Sequence, residues 1–141
     1  MRRFAFLSFA AATSAALACG YCVEDKIAGV YDHAAVSKAI AQKHVVVFFA
    51  LEGRLRPGEP ERRRIASVAR SVPGVDPVSV RLSMELAALA LAYDPGRTTL
   101  ARLENALARK LAPIGLTLLN MRMMDSPGDL AAAPRPARAL R

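Results

Sequence analysis

Hydrophobic and polar positions along residues 44–124 switch several times between the period of a strand and the period of a helix. The continuous apolar run at 45–51 predicts a buried strand. A loop rich in Gly and Pro follows at 53–60, and apolar positions then recur at helical spacing over 61–72. Pro73-Gly74 predicts the end of this helix.

The second half of this region repeats the same kinds of pattern. Val78, Val80 and Leu82 alternate with polar residues, as in a half-buried strand, and residues 87–93 predict the strand that returns beside it. A helix capped by Thr98 or Thr99 runs to Lys110, and residues 116–123 form a last strand. The predicted core consists of Val45, Val47, Phe49, Ile65, Val68, Val80, Leu82, Leu103, Leu107 and Leu118.

This order of elements predicts an α+β fold of the ferredoxin-like βαββαβ type. Such a domain, here at 44–124, is a sandwich of a four-stranded antiparallel sheet and two helices on one of its faces. An extra N-terminal helix precedes it within 19–43, because Val23, Ile27 and Val30 lie on one helical face. Residues 125–141 show no periodicity and are rich in Ala, Pro and Arg, which predicts a disordered basic tail.

The first 18 residues have the three parts of an export signal. Arg2 and Arg3 are followed by an apolar stretch and by small residues at Ala16 and Ala18, so cleavage is expected before Cys19. The mature protein would then be exported to the periplasm of a bacterium. Two alternatives stay open: an uncleaved anchor, or acylation of Cys19, because Leu17-Ala18-Cys19 is similar to the end of a lipoprotein signal.

The net charge of +8 would suit an anionic partner. An exported protein rarely meets nucleic acid, so no nucleic-acid partner is expected; a partner would be another exported protein or a membrane protein. Membrane attachment is expected only through a lipidated Cys19 or an uncleaved signal. The run Arg62-Arg63-Arg64 is either a solvated basic face or a docking patch for an acidic partner or lipid head groups. No catalytic motif is present, which favours a protein that is not an enzyme.

Cys19 and Cys22 are the only cysteines of the chain and form a C-x-x-C pair at the expected mature N-terminus. Two thiolates at the start of a helix suit soft metal ions, and they can satisfy a linear monovalent copper ion. Zinc would need further ligands from His33, His44 or a second molecule. The methionines at 84, 121, 123 and 124 are either thioether ligands or core residues, and alternation would place Met121 and Met123 on one strand face.

Three short strings in order resemble the heavy-metal-associated domain family: VPGVD at 72–76, AYDP at 92–95 and IGL at 114–116. The resemblance implies the ferredoxin-like fold and a soft-metal site in the loop between the first strand and the first helix. Here that loop has no Cys, Met or His and carries Arg54 and Arg56, which would repel a cation. The C-x-x-C lies upstream instead.

These observations predict a small exported protein that binds or handles a soft metal, copper or zinc, through Cys19 and Cys22. One alternative is a non-catalytic interaction module with the ferredoxin-like fold. The other is a thiol–disulfide redox protein, because CGYC is similar to the active site of periplasmic disulfide isomerases. The thioredoxin fold, however, has a buried strand just before its C-x-x-C, where this chain has the export signal.

Overall fold

The computed structural model describes residues 22–133, which form five helices and one sheet. The helices are α1 (Val23–Val30), α2 (His33–Ala41), α3 (Glu59–Arg70), α4 (Leu100–Leu111) and α5 (Pro127–Ala131). The strands are β1 (Val45–Gly53), β2 (Arg81–Ser83), β3 (Ala88–Tyr93) and β4 (Leu116–Met124). The predicted export signal and Cys19 lie outside the described residues, as do residues 134–141 of the predicted tail.

The four strands form one antiparallel sheet in the order β2-β3-β1-β4. This confirms the predicted α+β class and the four-stranded antiparallel sheet. The central strands β1 and β3 are apolar along almost their whole length and are buried on both faces of the sheet. Between Phe48 and Phe49 the pairing of β1 with β4 shifts, so that β4 has a bulge at Met121.

One face of the sheet is covered by α3 and α4, as the sequence predicted. Their apolar sides meet alternate residues of the central strands in a first core. Leu103, Leu107 and Leu111 of α4 are fully buried there, and Thr99 caps that helix by accepting a hydrogen bond from the amide of Arg102. Of the predicted core residues, Val45, Val68, Leu82 and Leu118 are only partly buried and pack at the margin of this core.

The other face is covered by α1 and α2, where the sequence had predicted a single helix. The chain breaks between them at Tyr31-Asp32, because the Asp32 carboxylate accepts a hydrogen bond from the amide of Ala35 and starts a new helix. Beneath these helices lies a second core that the sequence analysis did not predict. It consists of Ile27, Val30, Val36, Ala39, Ile40, Val46, Phe48, Ala88, Ala90, Ala92 and Met124.

Two further segments differ from the sequence-based expectation. Val78 is 71% exposed and lies in a short 3-10 turn, Pro77–Ser79, so that β2 is shorter and later than predicted. The amide of Val78 donates to the Asp76 carboxylate, which holds the turn. The start of the predicted disordered tail forms α5, whose Leu130 packs against the second core.

Candidate functional site

Cys22 is the residue of the predicted metal site that the structure describes, and it occupies the N-cap position of α1. Its thiol is exposed, is not in a disulfide, and donates a hydrogen bond to Oδ2 of Asp25 at 3.1 Å. The carbonyl of Cys22 accepts the first helical bond, from the amide of Lys26. The thiol therefore lies at the free end of a helix, open to solvent and to a ligand.

The sheet holds α1 in a fixed position. Ile27 and Val30 are buried in the second core and secure the middle and the end of the helix. Near its start, the carboxylate of Glu24 forms an ion pair with the guanidinium of Arg122 on β4. The segment that begins at Cys22 is therefore attached to the sheet at both ends.

The remaining predicted ligands do not join Cys22 in a cluster. Within residues 22–133 no group of three or more His, Cys, Asp or Glu side chains is placed to hold a metal ion. Nδ1 of His33 lies 3.0 Å from the Tyr31 hydroxyl, and its Nε2 lies 3.4 Å from the Ser37 hydroxyl. Nδ1 of His44 is buried without a hydrogen-bond partner at the other end of α2. A site in which two cysteines hold the ion therefore requires Cys19, which lies outside the described residues.

The loop between β1 and α3 has no donor for a soft metal. It contains Arg54 and Arg56, which line a cavity of about 350 Å³ together with Arg64 and Glu61. Guanidinium groups attract anions and repel cations. The loop between β1 and α3 is thus positively charged, as the sequence indicated.

The bulge in β4 places Met121 and Met123 on opposite faces of the sheet. Met121 packs against the second core, whereas Met123 pairs with Val47, a residue of the first core, and is 46% exposed. The prediction that Met121 and Met123 share one face is therefore wrong. Met124 is buried, and Met84 packs at the margin of the first core, so both serve packing.

The pKa shifts within residues 22–133 belong to two tyrosines and two aspartates. None of the buried residues described is polar or charged. Burial raises the pKa of Tyr31 and of Tyr93, the latter with help from the negative charges of Glu104 and Asp125. A backbone hydrogen bond from Ala35, followed by the Arg81 guanidinium, lowers the pKa of Asp32; hydrogen bonds from Asp125 and Ser126 lower that of Asp129. These shifts follow from burial, helix capping and neighbouring charges.

Two large surface clefts were missed by the sequence analysis. One, of about 620 Å³, lies beside the ion pair of Asp32 with Arg81 and includes Arg62 and Arg63. The other, of about 860 Å³, lies between the end of α3 and the outer side of α4 and is lined by Arg97, Arg102, Arg109 and Lys110. The spacing of Arg102 and Arg109, two helical turns apart in α4, is the sequence signal that points to this basic cleft.

No family model matches the chain, and no curated protein or solved structure is significantly similar to it. Among the described residues, none of the helices has the length and apolar composition needed to cross a membrane.

Proposed function

We propose that this protein is an exported, non-catalytic binder of a soft metal ion, which it holds through the thiolates of Cys19 and Cys22. The observation that carries the proposal is the state of Cys22: its thiol is free and exposed at the first turn of α1. Cysteine sulfur is a ligand that soft metal ions prefer. Cys19 precedes Cys22 by three residues and supplies the second sulfur.

Monovalent copper suits this pair better than zinc. Two thiolates complete the linear coordination that monovalent copper accepts, whereas a structural zinc ion takes four ligands. Because residues 22–133 offer no cluster of three or more ligands, zinc would require a second molecule or ligands from outside that part of the chain.

In this proposal the folded region is a scaffold of ferredoxin-like type, related in plan to heavy-metal-associated domains. The support is the succession β1-α3-β2-β3-α4-β4 together with the strand order β2-β3-β1-β4 and the packing of α3 and α4 on one face. The α1–α2 pair is an addition that presents the cysteines. It replaces the usual loop site, where Arg54 and Arg56 disfavour a cation.

The first experiment determines the form in which the pair reaches its compartment. Intact mass of the mature protein from cells is expected to fit cleavage between Ala18 and Cys19 with two unmodified cysteines. A mass that includes acyl chains on Cys19, or one that begins at Met1, would overturn the two-thiolate site in the mature protein.

The second experiment measures metal affinity directly. The reduced mature protein is titrated with monovalent copper and with zinc against a competing chelator, beside Cys19→Ser, Cys22→Ser and the double variant. We expect tight copper binding by the natural chain, weaker binding by each single variant and loss of binding in the double variant. Ser67→Ala, at an exposed serine of α3 away from the cysteines and histidines, serves as the control.

A double variant that keeps the natural affinity would show that the cysteines are not the site. If the natural chain binds neither metal but catalyses disulfide exchange, a redox function replaces the proposal. If it does neither, the protein is a binding module without chemistry of its own.

A further inference from the structure

The outer side of α4 carries several basic side chains and no acidic one. The basic cleft brings together Arg97, Arg102, Arg109 and Lys110, and no carboxylate lines it. Ion pairs within residues 22–133 join Glu59 to Arg62 and Arg63, Asp32 to Arg81, and Glu24 to Arg122. The four cations of the cleft take part in none of them.

The acidic residue of α4 does not offset this charge, because it points elsewhere. Glu104 accepts a hydrogen bond from the side-chain amide of Asn120, at 3.0 Å, and so lies toward β4 on the far side of the helix. The field in the cleft is therefore that of four cations whose neighbours are polar or apolar groups such as Asn105, Thr98 and Pro73.

Helix stability does not account for the arrangement. Arg109 and Lys110 lie in the last turn of α4, where a cation is favoured by the helix dipole. Arg102, however, lies in the first turn, directly after the Thr99 cap, where the same dipole disfavours a cation. Arg102 therefore does not stabilise its own helix and forms no ion pair within the described fold. A negatively charged partner outside this fold accounts for its position.

From this surface we infer that the basic cleft, between the segment that follows α3 and the outer side of α4, binds an acidic segment of another protein. Arg102 and Arg109 are seven residues apart, or about 10 Å along the helix, which is too far for one small anion to bridge but suits an extended chain with several carboxylates. Asn105 lies between them and can hydrogen-bond to the backbone or side chains of such a segment.

Two other anionic partners, a lipid bilayer and single-stranded nucleic acid, fit the basic cleft less well. A bilayer is flat and binds best where apolar side chains can enter it. The large exposed hydrophobic residues of the described fold, Val23, Val78, Leu119 and Met123, all lie outside the cleft. Single-stranded nucleic acid binds through aromatic stacking as well as charge, and the residues that line the cleft include no aromatic side chain.

The inference does not depend on the cysteine pair, and its test uses the mature protein without metal. A fluorescently labelled peptide of alternating Glu and Ser is titrated with the protein, and the same peptide with Gln in place of Glu is the ligand control. We expect binding of the Glu peptide alone, and affinity that falls as salt is raised.

The decisive variant is Arg102→Glu/Arg109→Glu, and Arg62→Glu/Arg63→Glu is its matched control. Both change the net charge by the same amount, but Arg62 and Arg63 lie outside the cleft and already pair with Glu59. The cleft variant should lose about tenfold or more in affinity, because two attractions become repulsions. The control variant should show only the small loss of affinity for the Glu peptide that follows from the change in net charge.

A milder variant, Arg102→Gln/Arg109→Gln, keeps the test valid if the charge reversal impairs folding, which far-UV circular dichroism would show. Equal losses in the cleft and control variants would overturn the inference, since binding would then follow net charge. So would failure to bind the Glu peptide, whether or not vesicles of anionic lipid or duplex DNA are bound in the same assay.

Discussion

Asp32 connects the break between α1 and α2 to strand β2 through three hydrogen bonds. Its Oδ1 accepts from the amide of Ala35 and starts α2, while its Oδ2 accepts from Nε and Nη2 of Arg81 at 3.1 and 2.9 Å. The Asp32 carboxylate thus starts α2 after the break and also connects the break to β2. The Ala35 amide and then the Arg81 guanidinium favour its charged form and lower the pKa of Asp32.

The lowered pKa gives a testable dependence of stability on pH. Because the folded pKa lies below the unfolded value of about 3.9, the charge of Asp32 stabilises the fold at all pH values well above that range. This contribution is lost as the pH falls through the unfolded and then the folded pKa. Asp32→Asn keeps a good N-cap but no charge, so it should be less stable than the natural chain at neutral pH and equally stable in acid.

Urea unfolding at a series of pH values measures this difference. Asp129, whose pKa is also lowered, titrates alike in both proteins and does not affect the comparison. Asp32→Ala, which removes the cap as well, should cost about 1 kcal/mol at neutral pH. A difference between natural chain and Asp32→Asn that stays constant from neutral to acidic pH would refute the role of the charge.

The junction of β1 with β4 depends on two glycines for different reasons. Gly53 ends β1 with φ 119°, and a Cβ there would lie 2.2 Å from the carbonyl oxygen of Gly115. Gly115 ends the turn before β4 with φ 77°, but a Cβ there would meet no atom within 4 Å. Both positions are in the region that favours glycine, whereas only Gly53 also lacks space.

Alanine at these positions should therefore have unequal effects. Gly115→Ala is expected to cost about 1 kcal/mol, the usual strain of a residue with a side chain in the left-handed region. Gly53→Ala should cost clearly more, since the carbonyl of Gly115 must also move and with it the start of β4. Chemical unfolding of the two variants, side by side with Gly58→Ala in the exposed loop, gives the comparison. Equal costs at 53 and 115 would show that the junction relaxes freely.

The elements that the sequence predicted well are those with one dominant signal. The period of apolar residues and the caps located α3, α4 and the strands β1, β3 and β4 to within a few residues. The second core was missed although β3 and residues 45–51 of β1 are continuously apolar, a pattern typical of strands buried on both faces. The break between α1 and α2 was missed because the cap at Asp32 was not weighed against the continuing apolar period.

The candidate sites likewise divide into features that the sequence predicted and features that depend on the fold. The C-x-x-C pair and the arginines at 54 and 56 can be read directly from the sequence, so the thiol of Cys22 and the positive charge of the β1–α3 loop were predictable. The basic cleft depends on residues of α4 and of two separate connecting segments, 71–73 and 97–98, and on the direction in which Glu104 points. The bulge that separates Met121 from Met123 likewise arises from pairing with β1, which no local pattern of β4 contains.

The sheet is shared by both cores, and this makes the three layers interdependent. Successive residues of β1 point to opposite faces: Val47 and Phe49 belong to the first core, Val46 and Phe48 to the second. Phe48 stacks on Tyr31, with ring centroids 6.4 Å apart, and so links the central strand to the start of α2. Removing either helical layer would expose the same strand to water.

We therefore expect residues 22–133 to unfold in a single transition. Ile27 of α1 and Leu107 of α4 are each fully buried, but in different cores, so Ile27→Ala and Leu107→Ala should each cost about 2–5 kcal/mol. Both should move the whole transition, whether it is followed by far-UV circular dichroism or by tyrosine fluorescence. Leu119→Ala, at a site that is 57% exposed, should change stability by only a few tenths of a kcal/mol. A separate early transition in Ile27→Ala, with α3 and α4 still folded on the sheet, would contradict this expectation. The α1–α2 pair would then unfold independently of the sheet. The pair that is proposed to present the cysteines would not be part of the cooperative fold.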